Sequence, residues 1–171
     1  FDLDRTLWDS SEEVAISWTE ALKKHSDTKM EITTEMIQGV MGKSMTEIAD
    51  IFFEAYELER RRELLEDCCE AENEYIRRHG GQLLPGLEET LQQLREQGYH
   101  LYIVSNCQIG YIEAFLEYHK LERYFDDFES FGGTGKEKSY NIRLVAERNH
   151  LNAAVYVGDT LTRVHLTLDK G

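Results

Sequence analysis

Leu101-Tyr102-Ile103-Val104-Ser105-Asn106 is a short apolar run that stops on two polar residues. A buried strand with a polar tip has this form. Toward the C-terminus, Ala153-Ala154-Val155-Tyr156-Val157 repeats it as the clearest buried strand, ending on Gly158-Asp159-Thr160. At the start, Phe1-Asp2-Leu3-Asp4-Arg5-Thr6-Leu7 reads as a strand end bearing two carboxylates two positions apart. Side chains at i and i+2 of an extended chain point the same way. Asp2 and Asp4 are therefore expected to face one pocket. Their mutual repulsion has to be offset there by a cation or by hydrogen bonds.

Helical patterns separate these runs. Pro85-Gly86 opens a helix with Leu87, Leu91 and Leu94 on its buried side, and Gly98 stops it. Ile112, Phe115 and Leu116 mark the next helix, 125–131 a further strand, 132–135 a loop, and 141–149 a helix with Ile142, Val145 and Ala146 inward. Apolar strands alternating with helices predict right-handed β-α-β units, hence an α/β fold with a parallel sheet. Ligands of open sheets bind beyond the carboxyl ends of the strands. Asp2/Asp4, Ser105/Asn106 and Asp159/Thr160 each sit at such an end.

The stretch from 11 to 81 has a different texture. Ser10 and Glu13 have capping-box spacing ahead of a stripe on Val14, Trp18, Ala21 and Leu22. A polar loop over 23–29 and a helix over 34–40 follow, broken at Gly42. Ser44 and Glu47 repeat the capping box ahead of Ile48, Ile51, Phe52 and Ala55. A long charged helix over 57–78 turns Leu64, Leu65, Cys68, Glu72, Tyr75 and Ile76 inward, and Gly80-Gly81 ends it. With no strand of its own, this segment reads as an inserted α-helical cap, residues 11–81, on a core made of 1–10 and 82–171.

The net charge of −14, from 33 acidic and 19 basic residues, argues against a nucleic-acid partner. It also means that any phosphate site must be made locally positive, by a metal, a Lys or backbone N–H groups. Lys136 and Lys138 are the candidate lysines. Lys138 is preferred because it lies nearer the N-terminus of the next helix, where a phosphate would sit. No apolar run approaches the roughly 18 residues of a membrane span. Three cysteines without C-x-x-C spacing give neither a disulfide framework nor a zinc site, so a reduced, cytoplasmic setting is expected. The six histidines read as surface or helix-end residues and Cys107 as a small, partly buried one.

Taken in order, these motifs resemble the haloacid dehalogenase superfamily of aspartate-nucleophile phosphatases, in its branch with a helical cap between the first and second motifs. Asp2-Leu3-Asp4-Arg5-Thr6 matches its D-x-D-x-T. Leu101 to Ser105 matches the strand ending in Ser or Thr, Lys138 the lysine before a helix, and Val155 to Asp159 the strand ending in Gly-Asp. The resemblance implies a Rossmann-like core and a magnesium-dependent phosphatase acting on a small phosphorylated metabolite through an aspartyl-phosphate. Asp2 would be the nucleophile and Asp4 the general acid and base. Ser105 and Lys138 would hold the phosphoryl oxygens, and Thr6 and Asn106 would assist in binding substrate. Mg2+ would be bound by the Asp2 and Asp159 carboxylates and the Asp4 backbone carbonyl. A monomer or weak dimer is expected.

Arg5 stands where the family most often has Gly, and Arg163 where a second acid usually follows Asp159; Asp169 is too distant to replace it. The chain also reads as truncated at both ends. The alternatives are a sugar-phosphate mutase, disfavoured by the lack of an Arg near Lys43, and a non-catalytic phosphate-binding fragment. A dehalogenase ranks lower, since Asp4 and the expected magnesium site suit phosphoryl transfer.

Overall fold

The computed structural model describes residues 1–159. Thr160, Arg163, His165 and Asp169 lie outside them. The fold is α/β, and its sheet is parallel where the alternating pattern predicts it. Strand β3 (Tyr102–Ser105) pairs in parallel with β4 (Asp127–Ser130), Ile103 opposite Phe128 and Ser105 opposite Ser130. On the other side of β3, the Phe1 amine donates to the Tyr102 carbonyl (2.8 Å) and Val104 N–H to the Phe1 carbonyl (2.9 Å). That alternation is a parallel ladder. Asp2 N–H in turn donates to the Val157 carbonyl at 2.8 Å. The tips carrying Asp2, Ser105 and Gly158 are thus neighbours.

The 153–157 segment differs from expectation. It is not a regular strand and it is largely uncovered, with Val155 88% and Val157 43% exposed. Its neighbour across the sheet is the short Phe1–Asp2 stretch, and one main-chain hydrogen bond does not make a ladder. Only Tyr156 packs inward, against the small cluster of Val104, Ile142 and Val145.

Between Ser11 and His79 lie four helices and no strand: α1 (Ser11–Leu22), α2 (Thr34–Val40), α3 (Met45–Phe52) and α4 (Leu58–His79). On α4 the buried residues Leu64, Cys68, Glu72 and Ile76 recur every fourth position, a stripe that meets α1 and the later helix α6 (Tyr111–His119). Arg77, Arg78 and His79 in the last turn of α4 complement its macrodipole. The Ser44/Glu47 capping box forms at α3. The Ser10/Glu13 box does not. Ser10 is fully buried and its hydroxyl is shared with Tyr111 Oη at 2.6 Å, while Asp9 Oδ1 accepts from Ser11 N–H at 2.9 Å in its place. Ile51 turns outward (48% exposed), and Leu65 and Tyr75 are only half-buried, at the edge of the α4 stripe.

A two-residue antiparallel ribbon joins the helical stretch to the sheet, where β1 (Trp8–Asp9) pairs with β2 (Gln82–Leu83). A Cβ on Gly81 would lie 2.8 Å from the Trp8 ring and 3.0 Å from the Asp9 carbonyl, so the close approach needs glycine. Beyond it, α5 (Leu87–Glu96) follows Pro85-Gly86 and buries Leu87 and Leu91, with Leu94 packed at the edge. The expected loop at 132–135 is instead a helical turn, α7 (Phe131–Thr134), because Ser130 Oγ accepts from Gly133 N–H at 3.1 Å. Helix α8 (Lys138–Arg148) starts at Lys138 rather than Asn141. Among the described residues no helix is long and apolar enough to cross a membrane. Cys107 departs from the sequence reading by lying fully inside. His119, at the end of α6 as read, packs on Trp8 (5.7 Å between centroids), and its buried Nε2 has no partner among the described residues.

Candidate active site

Asp2 and Asp4 leave the sheet on the same side, as their spacing requires, and line one pocket together with Ser105 and Asn106. Asp2 is 4% exposed, and each of its oxygens has a partner. Oδ1 accepts from Leu3 N–H at 2.9 Å, and Oδ2 from Lys138 Nζ at 2.7 Å. Lys138 is the first residue of α8, so a cation and a helix N-terminus arrive together beside this carboxylate. Lys136, in contrast, is exposed and engaged through its backbone with Thr134 and Asn141.

Asp4 has a different environment. Its Oδ1 accepts from Tyr111 Oη at 2.8 Å and from Trp8 Nε1 at 3.0 Å. Burial pushes its carboxyl up to about 6, and the neighbouring Asp2 charge adds to the rise. The Tyr111 and Trp8 hydrogen bonds and the Lys138 charge oppose it without cancelling it. Trp8 is held by edge contact with Phe115 at 4.8 Å, and Tyr111 by its bond to Ser10. Sequence reading misses both residues. Their one signal is placement: Trp8 lies four residues after Asp4, and Tyr111 opens the helix after the Ser105-Asn106 tip.

The other expected site residues divide. Ser105 is buried at the pocket wall (2% exposed). Thr6 Oγ1 is buried and has no hydrogen-bond partner among the described residues. Asn106 also lines the pocket, but its Nδ2 donates to the Gly42 carbonyl at 2.9 Å, tying the Ser105-Asn106 tip to the α2–α3 turn. Gly158 packs against Asp2, where an added Cβ would sit 3.4 Å from Asp2 Cβ. Asp159 follows, its Oδ2 paired with Arg5 Nε at 3.2 Å. Arg5 adopts a left-handed φ of +60°, where glycine would be unstrained.

Among the described residues no group of three or more His, Cys, Asp and Glu side chains is gathered as a metal cluster. Magnesium does not demand one. It binds through one or two carboxylates plus waters and phosphate oxygens. The oxygen-only set of Asp2, Asp159 and the Asp4 carbonyl fits that chemistry, with Arg5 as competitor for Asp159.

The sequence matches the family model described as haloacid dehalogenase-like hydrolase over residues 1–165. A comparison with curated proteins finds no match. Among solved structures, the fold is similar to that of a predicted phosphatase from Clostridium acetobutylicum (TM-score 0.66, 24% identity, 88% of this chain and 69% of the other). It is also similar to a predicted phosphoglycolate phosphatase from Haemophilus somnus (0.73, 19%, 88% and 70%). A β-phosphoglucomutase from Clostridium difficile shares it as well (0.69, 19%, 89% and 70%). At these identities the likeness is one of fold.

Proposed function

The chain belongs to the haloacid dehalogenase-like hydrolase family, and from that premise and the pocket's geometry we propose that it is a magnesium-dependent phosphatase of a small phosphorylated metabolite. The observation that carries this reading is the unequal treatment of two neighbouring carboxylates. Lys138 sits on Asp2, while Asp4, half-buried, has its carboxyl pushed up to about 6. Environments that separate two carboxyl groups assign them separate tasks.

Asp2 is the nucleophile. One of its oxygens bonds to phosphorus as the ester P–O bond breaks, and Asp4 gives its proton to the departing oxygen. Asp4, now ionised, takes a proton from water as that water attacks phosphorus. The acyl-phosphate P–O bond breaks, and phosphate and the Asp2 carboxylate are regenerated. Lys138 offsets the anion-on-anion approach, and Ser105 and Thr6 hydroxyls donate to phosphoryl oxygens. Tyr111 and Trp8 aim the Asp4 carboxyl. A magnesium ion held by Asp2, Asp159 and the Asp4 carbonyl would supply further positive charge to the phosphoryl group.

Helices α1–α4, within residues 11–81, act as a cap over this pocket and exclude water during turnover. The Asn106–Gly42 hydrogen bond is consistent with closure at that seam. A reduced, cytoplasmic setting is the one that the cysteine content favours. The test is magnesium-dependent release of phosphate from phenyl phosphate, with Asp2→Asn as control. Loss of release in the variant is expected, and release that survives it overturns the assignment. Conversion of a hexose 1-phosphate to the 6-phosphate without phosphate release would point to a mutase instead.

A further inference from the structure

Tyr156 stands between two exposed valines, and it turns inward against Val104, Ile142 and Val145. Its hydroxyl donates to the Val104 carbonyl at 3.3 Å. In the ladder that joins Phe1 to β3, that carbonyl is the next acceptor and its expected donor is Leu3 N–H. Leu3 N–H instead donates to Asp2 Oδ1 at 2.9 Å. The ladder therefore breaks where Asp2 turns toward the pocket, and Tyr156 Oη satisfies the acceptor left behind. The ring anchored in this way reaches the site. A Cβ on Gly158 would lie 3.2 Å from Tyr156 Cε1, 3.4 Å from Asp2 Cβ and 3.7 Å from Asp2 Oδ2, so glycine lets ring and carboxylate share one corner. Lys138 Nζ, 2.7 Å from Asp2 Oδ2, stands over the same ring at 6.0 Å from its centroid. That is the outer edge of the range in which an ammonium is drawn to the negative face of an aromatic ring.

We propose that Tyr156 is a positioning residue, whose ring retains the Lys138 ammonium beside Asp2 while Asp2 Oδ2 is released to attack phosphorus. This role rests on the phosphatase reading, in which Asp2 is the nucleophile, and adds how the countercharge is kept through the step. Asp2 Oδ1 is held by a fixed main-chain N–H, so Oδ2 is the oxygen that can be freed, and freeing it means that Lys138 lets go. The Oδ2–P bond then forms and the ester P–O bond breaks, with the proton for the departing oxygen coming from Asp4; no proton passes through Tyr156. A ring face holds a cation without consuming a hydrogen bond, which leaves the three ammonium N–H groups for phosphoryl oxygens. Burial, with the Asp2 charge adding to it, pushes the phenol up, so the ring itself stays uncharged. A Tyr156 that only filled space would respond to shape. One that holds a cation responds to the charge on its face.

The test replaces Tyr156 with phenylalanine and with phenylalanines that carry increasing numbers of ring fluorines, which drain the ring face and leave its shape nearly unchanged. Inorganic phosphate, the product that Lys138 would hold, is titrated calorimetrically into each whole chain with magnesium present. Affinity should fall stepwise along the series, by about fivefold from Tyr156→Phe to the most fluorinated ring. Tyr156→Leu, without a ring, should bind no more tightly than the last member. A flat series overturns the proposal whether or not the Leu variant folds, as does a Leu variant that matches Tyr156→Phe. Hydrolysis of phenyl phosphate keeps the two readings apart. No hydrolysis with the stepwise fall intact removes the phosphatase and leaves the hold on Lys138, and hydrolysis with a flat series removes the positioning role alone. A wild type that binds no phosphate overturns both.

Discussion

Tyr111 Oη donates to Asp4 Oδ1 at 2.8 Å and shares a hydrogen bond with Ser10 Oγ at 2.6 Å. A relay of hydroxyls from Ser10, the residue before α1, therefore ends on the carboxyl assigned to proton transfer. The Tyr111 bond pulls the Asp4 carboxyl down against burial, so removing it lets that carboxyl rise above its value of about 6. Tyr111→Phe should move the alkaline limb of the pH–rate profile, where Asp4 loses the proton it must donate, upward and lower the rate by about tenfold. The limb's position, followed over pH 4 to 9, checks it; an unshifted limb means that Asp4 is not the titrating group.

Arg5 holds Asp159 from a left-handed backbone position. Arg5→Gly removes both the strain and the competing cation. The protein should gain about 1 kcal/mol from the relaxed φ, with little lost at so exposed an ion pair. Magnesium should bind several-fold more tightly. Thermal unfolding without metal and calorimetric titration with it read the two effects separately.

Glu72 links stability to pH. Its carboxyl rises from an ordinary 4.5 to about 8 on folding. The native state thus keeps a proton that the unfolded chain releases between those values, and stability falls as pH rises through that window. Glu72→Gln lacks the linkage. Denaturant melts at pH 5 and 8.5 should show a wild-type decline larger than the variant's by roughly 4 kcal/mol. Equal declines would show that Glu72 does not hold the proton.

Gly81 lies where the chain returns from the helices, with no room for a methyl group beside Trp8 and the Asp9 carbonyl. Gly81→Ala should destabilise the protein by about 1 to 3 kcal/mol. A lowered melting temperature is the readout, and an unchanged one would mean that the ribbon shifts freely.

The sequence made several parts of this molecule readable for physical reasons. Strand β3 is an unbroken apolar run, α4 repeats a buried residue each turn from Leu64 to Ile76, and Ser44/Glu47 is a local pattern satisfied locally. The pairing of Lys138 with Asp2 could be anticipated because a helix start and a strand tip must meet across a parallel sheet. What escaped depends on distant partners. Ser10 fails to cap α1 because Tyr111, far along the chain, takes its hydroxyl. The β1–β2 ribbon has two residues a side, too short for any periodicity. Val155 looks buried by composition, but exposure depends on what lies beside it. Glu72 is placed inward by its period along α4, as the structure has it, but the pocket wall it joins comes from other helices and could not be read from that period.

The division of labour between Asp2 and Asp4 is tested most directly by finding where the phosphoryl group rests during turnover. The chain is mixed with phenyl phosphate and magnesium, quenched in acid within the first turnovers, digested and read by mass spectrometry. The account predicts a phosphoryl group on Asp2, absent in Asp2→Asn and longer-lived in Asp4→Asn. Phosphate release with the label on another residue, or with no labelled peptide in Asp4→Asn, would contradict it.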